Sequence, residues 1–496
     1  MRKSIIILFL IIGGVSVSCK KDELFIPKKE DPIPPKKEDP IPPKKEDPFT
    51  PPYQSNLTDF EVSLSKTNNL RAEVTATFSG ETSFHIAYWE VNHPEQVQQT
   101  NTYQGKGIER KTLLFLKPDR QYSCQIITEK GDKSAVKTFK TKSVEAFLPN
   151  ATLLIDDLKE DIGGYFFTNA RMNGTKAIYL TDTKGVVVWY EQVPEEPLVV
   201  NYDAQRQQFY ILTNPAYPVG SPYTFNAKSI KIIDLFGEVV FQKDFATVPA
   251  LNGREVHHEC RPMPDGSIGL VTYIDKTFDL TAQGGTTTDI VKGDGFVIMN
   301  RRGEITQQWS CFDYVDPTTD PNIKIQGVKK DWLHANSFNY DSEGNYYMTF
   351  NRYGELWKID GKTGKLLYRI GENGTIKPEK KYFTHGMHCA NPKAPNEVLV
   401  IDNARSDSDT GSRAILYKVN EQSKTVTVPM AVALPKDLSS SNRSNAQFIG
   451  EDLLLITLST KKQIIITDRN ETPTIKRSFM LPFTFYRAQY IPTIKY

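Results

Sequence analysis

The stretch Ile178-Tyr-Leu-Thr-Asp-Thr-Lys-Gly185-Val-Val-Val-Trp189 reads as a short strand, a polar turn ending on glycine, and a second strand closed by an aromatic residue. The figure returns as Ile232-Ile-Asp-Leu-Phe-Gly237-Glu-Val-Val-Phe241, as Val297-Ile-Met-Asn-Arg-Arg-Gly303-Glu-Ile-Thr-Gln-Gln-Trp309, and as Trp357-Lys-Ile-Asp-Gly-Lys-Thr-Gly364-Lys-Leu-Leu-Tyr368. Weaker copies follow at Leu416-Tyr-Lys-Val-Asn-Glu-Gln-Ser-Lys-Thr-Val-Thr-Val428 and Ile464-Ile-Ile-Thr-Asp-Arg-Asn-Glu-Thr-Pro-Thr-Ile475. Further strands stand before these hairpins, among them Gln208-Phe-Tyr-Ile-Leu-Thr213, Gly344-Asn-Tyr-Tyr-Met-Thr349 and Leu453-Leu-Leu-Ile-Thr457. A unit that recurs at this spacing and cannot bury its own faces must stack on its neighbours. The economical reading of residues 150–496 is therefore a six-bladed β-propeller, with a pair of irregular β-sandwiches as the alternative.

Upstream the pattern changes. Residues 56–145 alternate as in Ala72-Glu-Val-Thr-Ala-Thr-Phe78 and Tyr122-Ser-Cys-Gln-Ile-Ile-Thr128, and Leu116-Lys-Pro-Asp-Arg-Gln-Tyr122 resembles the tyrosine corner of fibronectin type III domains. A small fibronectin III/immunoglobulin-like β-sandwich is expected there, making the whole protein all-β. Before it, residues 27–52 repeat Pro-Lys-Lys-Glu-Asp-Pro-Ile-Pro, too proline-rich for helix or sheet, and at ~3.1 Å per residue form an extended stalk. Arg2 and Lys3 followed by the apolar run at residues 5–12 read as a signal peptide over 1–18. Small residues before Cys19 resemble a bacterial lipobox, so Cys19 is expected to carry a lipid that anchors the chain to a membrane. Lys20-Lys21-Asp22-Glu23 is similar to the signal that sends lipoproteins of the Bacteroides group to the outer face of the outer membrane. The expected location is thus an outer-membrane lipoprotein at the cell surface, or otherwise one facing the periplasm.

Composition narrows the function classes. Charged residues at 24% and hydrophobic ones at 39% exclude a disordered or polytopic membrane chain, and the net charge of +2 comes from Arg2 and Lys3. The balanced remainder calls for no nucleic acid. Cys124, Cys260, Cys311 and Cys389 are far apart and assign no disulfide.

Chemistry is signalled by histidine. Of 7 histidines, five fall in three places: His257 and His258, then His334, then His385 and His388. Each group is read as lying just before the inner strand of one repeat, so that successive repeats present imidazole at one mouth of a channel. His85 and His93 in the upstream domain read as solvated or structural. Asp331-Trp-Leu-His334-Ala-Asn336-Ser337 precedes a strand ending at Asn351-Arg352, which adds a carboxamide and a guanidinium. Arginine is the planar fork for a pair of sulfate or phosphate oxygens. A three-histidine zinc site is the rival, but arginine repels a dication and Glu259 is the one acidic ligand in evidence, so no metal or other cofactor is expected.

Together these segments resemble the bacterial aryl-sulfate sulfotransferases that work without a nucleotide sulfate donor. Asp331-Trp-x-His334-x-Asn336-Ser337 with Arg352 is similar to their central motif, and Phe383-Thr-x-x-x-His388 followed by Ile401-Asp402-Asn403 to the segment with their nucleophile. Ser412-Arg413-Ala-Ile-Leu-Tyr417 and Tyr486-Arg487-Ala488 match two later motifs, and His258 fits the first histidine better than His257 does. The resemblance covers residues 56–496. The short-loop disulfide of some members has no counterpart here. It implies a ping-pong transfer from an aryl sulfate to a phenol in which His388 attacks sulfur. Arg352 and Asn336 would hold the oxygens, with His258 and His334 as donors, and a nearby guanidinium would keep His388 unprotonated. Tyr486, Arg487, Arg413 and His257 would help bind substrate. A surface propeller that only binds a sulfated or phenolic ligand, and a histidine-metal hydrolase or lyase, use the same residues.

Overall fold

The computed structural model describes residues 56–172, 175–214, 226–323, 329–403 and 409–496. The leader, Cys19 and the proline-rich stalk lie outside the described residues. The named elements are strands joined by short 3-10 turns, so the protein is all-β.

The N-terminal strands form one six-stranded sheet. Its organiser is the long strand Ala72–Glu90, whose first half pairs with Leu57–Leu64 and Tyr103–Leu113 and whose second half pairs with Gln121–Thr128. The rings of Phe78 and Phe84, six residues apart, lie only 4.7 Å from each other, so the strand bends sharply between them. Ala72, Val74, Ala76, Phe78, Phe84, Ile86 and Tyr88 are thereby buried in one core. The two-sheet sandwich expected from the alternation is thus a single sheet folded on itself. The tyrosine corner is present: Tyr122 accepts the Lys117 N–H at 2.8 Å. No break in packing marks residues 145–150, since that core continues into Phe167, Trp189 and Phe209, and Tyr496 bonds Tyr88 at 2.7 Å.

Among the described residues six antiparallel sheets of four or five strands follow. The hairpins that signalled the repeat are the outer strands of these sheets, for example Thr175–Asp182 with Val187–Gln192 and Glu355–Ile359 with Leu366–Ile370. Their turn glycines Gly185, Gly237, Gly303 and Gly364 have φ of 85°, 88°, 82° and 73°, a region costly for any residue with a Cβ. The ring is closed at both chain ends. Gln489–Ile491 completes the first sheet beside Tyr165–Met172, and Thr152–Asp156 extends the sixth beside Ile475–Met480.

One expectation is corrected. The histidines do not lie about ten residues upstream of the inner strands: His257, His258 and His388 are within the first three residues of these strands, and His334 immediately precedes one. These strands are Glu196–Asp203, Val256–Pro262, Ala335–Tyr340, Met387–Ala394, Asn445–Ile449 and Gln489–Ile491, and those read as inner, such as Glu397–Asp402, are second in their sheets. The true inner strands face a polar axis and lack apolar alternation, which hid them.

At their far ends the inner strands are clipped to one another. Asn201 donates to Cys260 O at 3.1 Å, Arg261 to Phe338 O at 3.1 Å, and Asn339 to Ala390 O at 2.9 Å. Asn391 donates to Ala446 O at 2.5 Å, Gln447 to Tyr490 O at 2.9 Å, and Gln489 accepts from Tyr202 N at 3.0 Å. Each inner strand holds the next, and the sixth holds the first. These six side chains line one cavity of about 280 Å³.

Candidate active site

The opposite ends of the same strands carry the histidines. From His258 to Arg261, or His388 to Asn391, is three residues, about 10 Å of extended chain. Here the backbone is strained instead of clipped. His258, His334 and Cys389 have φ of 55°, 58° and 50° at or beside bulges where the inner strand slips against its neighbour, and Arg443 and Ser444 take 62° and 84° just before the sixth sheet. Left-handed residues without glycine cost about 1–3 kcal/mol each and re-aim the side chains around them.

His388 is the most constrained of these. It is buried, its Nδ1 lies 2.9 Å from Gly386 O, and its Nε2 accepts the Arg443 N–H at 3.1 Å. A carbonyl on one nitrogen and an amide donor on the other fix the tautomer: Nδ1 carries the proton and Nε2 the lone pair. Burial, with His334, Arg487 and Arg443 adding to it against the Gly386 carbonyl, holds its pKa at about 3. The expected role of a guanidinium is therefore secondary to burial, and belongs to Arg487 and Arg443.

The turn that offers Gly386 O is held from behind. Asp402 accepts the N–H groups of His385 and Gly386 at 3.1 and 3.2 Å, and Arg413 grips Asp402 at 2.6 Å and the carbonyls of Lys381 and Phe383 at 2.8 and 2.9 Å. Arg413, expected to bind substrate, spends its guanidinium on this support. The His385 side chain is exposed and lies outside the cluster.

His334 is the electrostatic opposite of His388. Burial disfavours its charge, but the Asp331 carboxylate at 2.7 Å outweighs burial and raises its pKa. Arg352 reaches the same Asp331 oxygen at 3.5 Å, and with its side chain 40% exposed it is the guanidinium open to an incoming anion. His258 packs edge-on against His334, ring centres 5.0 Å apart, and burial followed by the charge of the surrounding histidines lowers its pKa well below the usual value.

Beneath the imidazoles a buried ion pair blocks the axis. Arg487 donates to Glu259 at 2.6 Å and to Asn336 O at 3.2 Å, Tyr486 donates to Asn336 O at 3.0 Å, and Asn201 and Arg261 add bonds to Glu259 at 2.7 and 3.1 Å. Removing one member of such a pair costs about 3–5 kcal/mol. Tyr486 and Arg487 therefore form the floor of the site and do not close it from outside. Asn336 is also committed inward: it donates to Met387 O at 2.9 Å and accepts from Thr349 at 2.6 Å, fixing the residue before His388.

The sequence did not point to Arg443 or Asp294, and it gave Asn403 only as part of a motif, with no role. Asn403 Nδ2 lies 3.1 Å from His388 Nδ1 and donates to Arg443 O at 3.0 Å. Asp294 is a buried acid in Asp289–Met299, and its setting Lys292-Gly-Asp-Gly295 was a signal: a Cβ on Gly295 would meet Trp309 O at 2.1 Å. Among the described residues no three His, Cys, Asp or Glu side chains converge as metal ligands, and the four described cysteines are free and buried.

Comparison with known proteins adds the following. Among solved structures the chain is similar to a protein of unknown function from Bacteroides caccae at 12% identity, over 66% of this chain and 99% of that one, with a TM-score of 0.41. It is similar to the β-propeller domain of Cps50 (Swd1) from Myceliophteria thermophila at 12% identity, over 66% and 89%, with a TM-score of 0.39. A catalytically inactive virginiamycin B lyase from Staphylococcus aureus with quinupristin matches at 10% identity, over 66% and 88%, with a TM-score of 0.35. No curated protein matches the chain. The family model described as arylsulfotransferase (ASST) matches residues 156–477.

Proposed function

Because the chain belongs to the arylsulfotransferase family, we propose that it moves a sulfuryl group from an aryl sulfate to a phenol in two steps through a sulfated His388. The observation that carries this reading is the opposite tuning of two imidazoles at one mouth. His388 is neutral with its lone pair on Nε2, whereas His334 is raised toward the charged form beside Arg352.

Nε2 attacks sulfur, the sulfur to aryl-oxygen bond breaks, and the phenolate departs. The sulfated ring is cationic, and the Nδ1–H bond to Gly386 O stabilises that charge. Negative charge spreading over the sulfuryl oxygens falls to Arg352 and His334, and the Arg443 N–H, released by Nε2, becomes one more donor. A phenol then attacks the same sulfur and frees His388. Asn336, Tyr486, Arg487 and Arg413 hold these groups in place.

Protein mixed with a chromogenic aryl sulfate alone, quenched at mildly alkaline pH and analysed by mass spectrometry, should carry a sulfuryl adduct on the peptide containing His388. His388→Ala should lose the phenol burst and acceptor sulfation by at least about a thousandfold. An adduct elsewhere, or an active alanine variant, overturns the assignment. We propose further that the chain is tethered through lipidated Cys19 to the outer membrane, facing the cell surface, with the proline-rich stalk as spacer. Cys19→Ser should then release an active soluble protein.

A further inference from the structure

We propose that Asp294, His257 and His258 form a buried proton relay in which Asp294 stores the proton that the first half of the transfer consumes and the second half returns. The inference rests on the sulfuryl-transfer reading and deepens it.

Asp294 is completely buried, and the backbone N–H groups of His334 and Ala335 face its carboxylate without making a well-formed hydrogen bond to either oxygen. His257 is equally buried, with the Thr272 backbone beside its ring, and its Nε2, which makes no well-formed hydrogen bond, lies 3.6 Å from Asp294 Oδ1. A buried carboxyl and a buried imidazole nitrogen left unsatisfied face to face cost stability, so their juxtaposition calls for a use. The His257 ring is stacked on Tyr273 with centres 3.5 Å apart and planes 12° from parallel, which holds it in this orientation. Its other nitrogen, Nδ1, sits 2.6 Å from His258 Nδ1. Two lone pairs or two N–H groups would repel at that distance, so one proton lies between them. The His258 ring in turn meets His334 at the mouth. Asp294, His257 and His258 thus lie in one line from the interior to the reacting groups, with a 3.6 Å step between Asp294 and His257 and a 2.6 Å step between the two histidines.

The charge states suit this use. Burial and the neighbouring Asp331 push the Asp294 carboxyl up to about 7, while burial and His334 hold His257 at about 3. The ionisable groups around the line are Tyr273 and Lys292 from the adjoining strands, Cys311 on the far side of Asp294, Asp331 and His334 at the mouth, and His388 and Arg487 beside His258.

The transfer has no net proton demand, yet each half does. When phenolate leaves, His258 Nε2–H gives it a proton, His257 Nδ1–H passes its own to His258 Nδ1, and the Asp294 carboxyl passes one to His257 Nε2. Phenol is released, both imidazoles are neutral with their tautomers exchanged, and Asp294 is a carboxylate. When the acceptor phenol attacks, its proton travels the same line backwards and restores the carboxylic acid.

Asp294 touches no substrate, so it is a positioning residue and its test must separate proton supply from fold. Asp294→Asn should leave the burst of nitrophenolate released from a nitrophenyl sulfate without acceptor, a half-reaction that needs no proton, within about twofold. With a donor whose phenol is weakly acidic, such as methoxyphenyl sulfate, the same variant should slow by at least about tenfold. Equal losses with both donors would assign Asp294 a structural role and overturn the relay. In wild type, the rate in mixtures of H2O and D2O should depend non-linearly on deuterium fraction with the weakly acidic donor, and a linear, single-proton dependence overturns the relay even where the variant does not fold. Wild-type protein inactive towards every aryl sulfate would instead sink the transferase reading itself.

Discussion

The two ends of the axial channel are built by the same strands, three residues apart, under opposite rules. At the far end every inner strand contributes one side chain that clips the next, from Asn201 to Cys260 around to Gln489 and Tyr202. At the histidine end the strands are bulged, with His258, His334 and Cys389 in left-handed conformations, and the side chains hold charge states that water would not grant them. The comparison teaches where the fold keeps its stability and where it spends it. Holding His388 neutral beside a His334 raised toward its charged form takes desolvation of the first and pairing of the second, and both cost folding free energy. The closed ring of clips offsets that cost at a distance from the chemistry.

The largest test is acid. Unfolded histidine titrates near 6.5, whereas His257 and His388 titrate near 3 in the folded protein. The unfolded chain therefore binds more protons in that window. Their contribution is intact above about pH 6.5 and is lost as pH falls toward 3, on the order of several kcal/mol between them. His258, also lowered, adds to the fall, while Asp294 and His334, both raised, work in the opposite sense, so three lowered imidazoles stand against two raised groups. Denaturant midpoints from pH 7 down to 4.5 should fall, and His388→Gln should flatten the fall. An unchanged slope in that variant would mean that the histidine end is not the strained one.

A smaller effect is expected for Arg352→Lys. A point charge cannot grip two oxygens as a guanidinium does, so steady-state turnover should drop at least about tenfold, about 1.4 kcal/mol in the barrier, with an unchanged melting temperature. A near-normal rate would remove Arg352 from the chemistry. The smallest effect is at the other end: Gln447→Ala should cost about 1 kcal/mol of stability per clip lost and leave turnover on saturating donor unchanged. A loss of activity without a loss of stability would break the division of labour between the two ends.

The sequence showed the fold through its outer hairpins because those strands are short apolar runs that turn on glycines with positive φ, as at Gly185 and Gly237. It hid the inner strands, since a segment such as His257-His-Glu-Cys-Arg-Pro262 packs between sheets and lines a polar axis and so shows no apolar period. For the same reason the positions of His258, His334 and His388 were legible as a recurring feature while their supports were not. That Asn336 and Arg413 face inward depends on carbonyls supplied from distant strands, Met387 and Phe383, which no local pattern records. Asp294 becomes meaningful only once His257 is seen across from it.

The closure of the ring at both chain ends also dictates the order of events when the protein is made. The first sheet cannot be completed until the last strand exists: Thr168 bonds a carbonyl at Arg487, 319 residues further on. Until then the edge of Tyr165–Met172 is left bare, a row of unpaired amides and carbonyls of the kind that recruits other chains into aggregates. Pairings of such long range fold slowly. Any part of the cell that handles this chain before its final residues emerge must therefore keep that edge shielded, and a chain truncated before Gln489 would present it permanently.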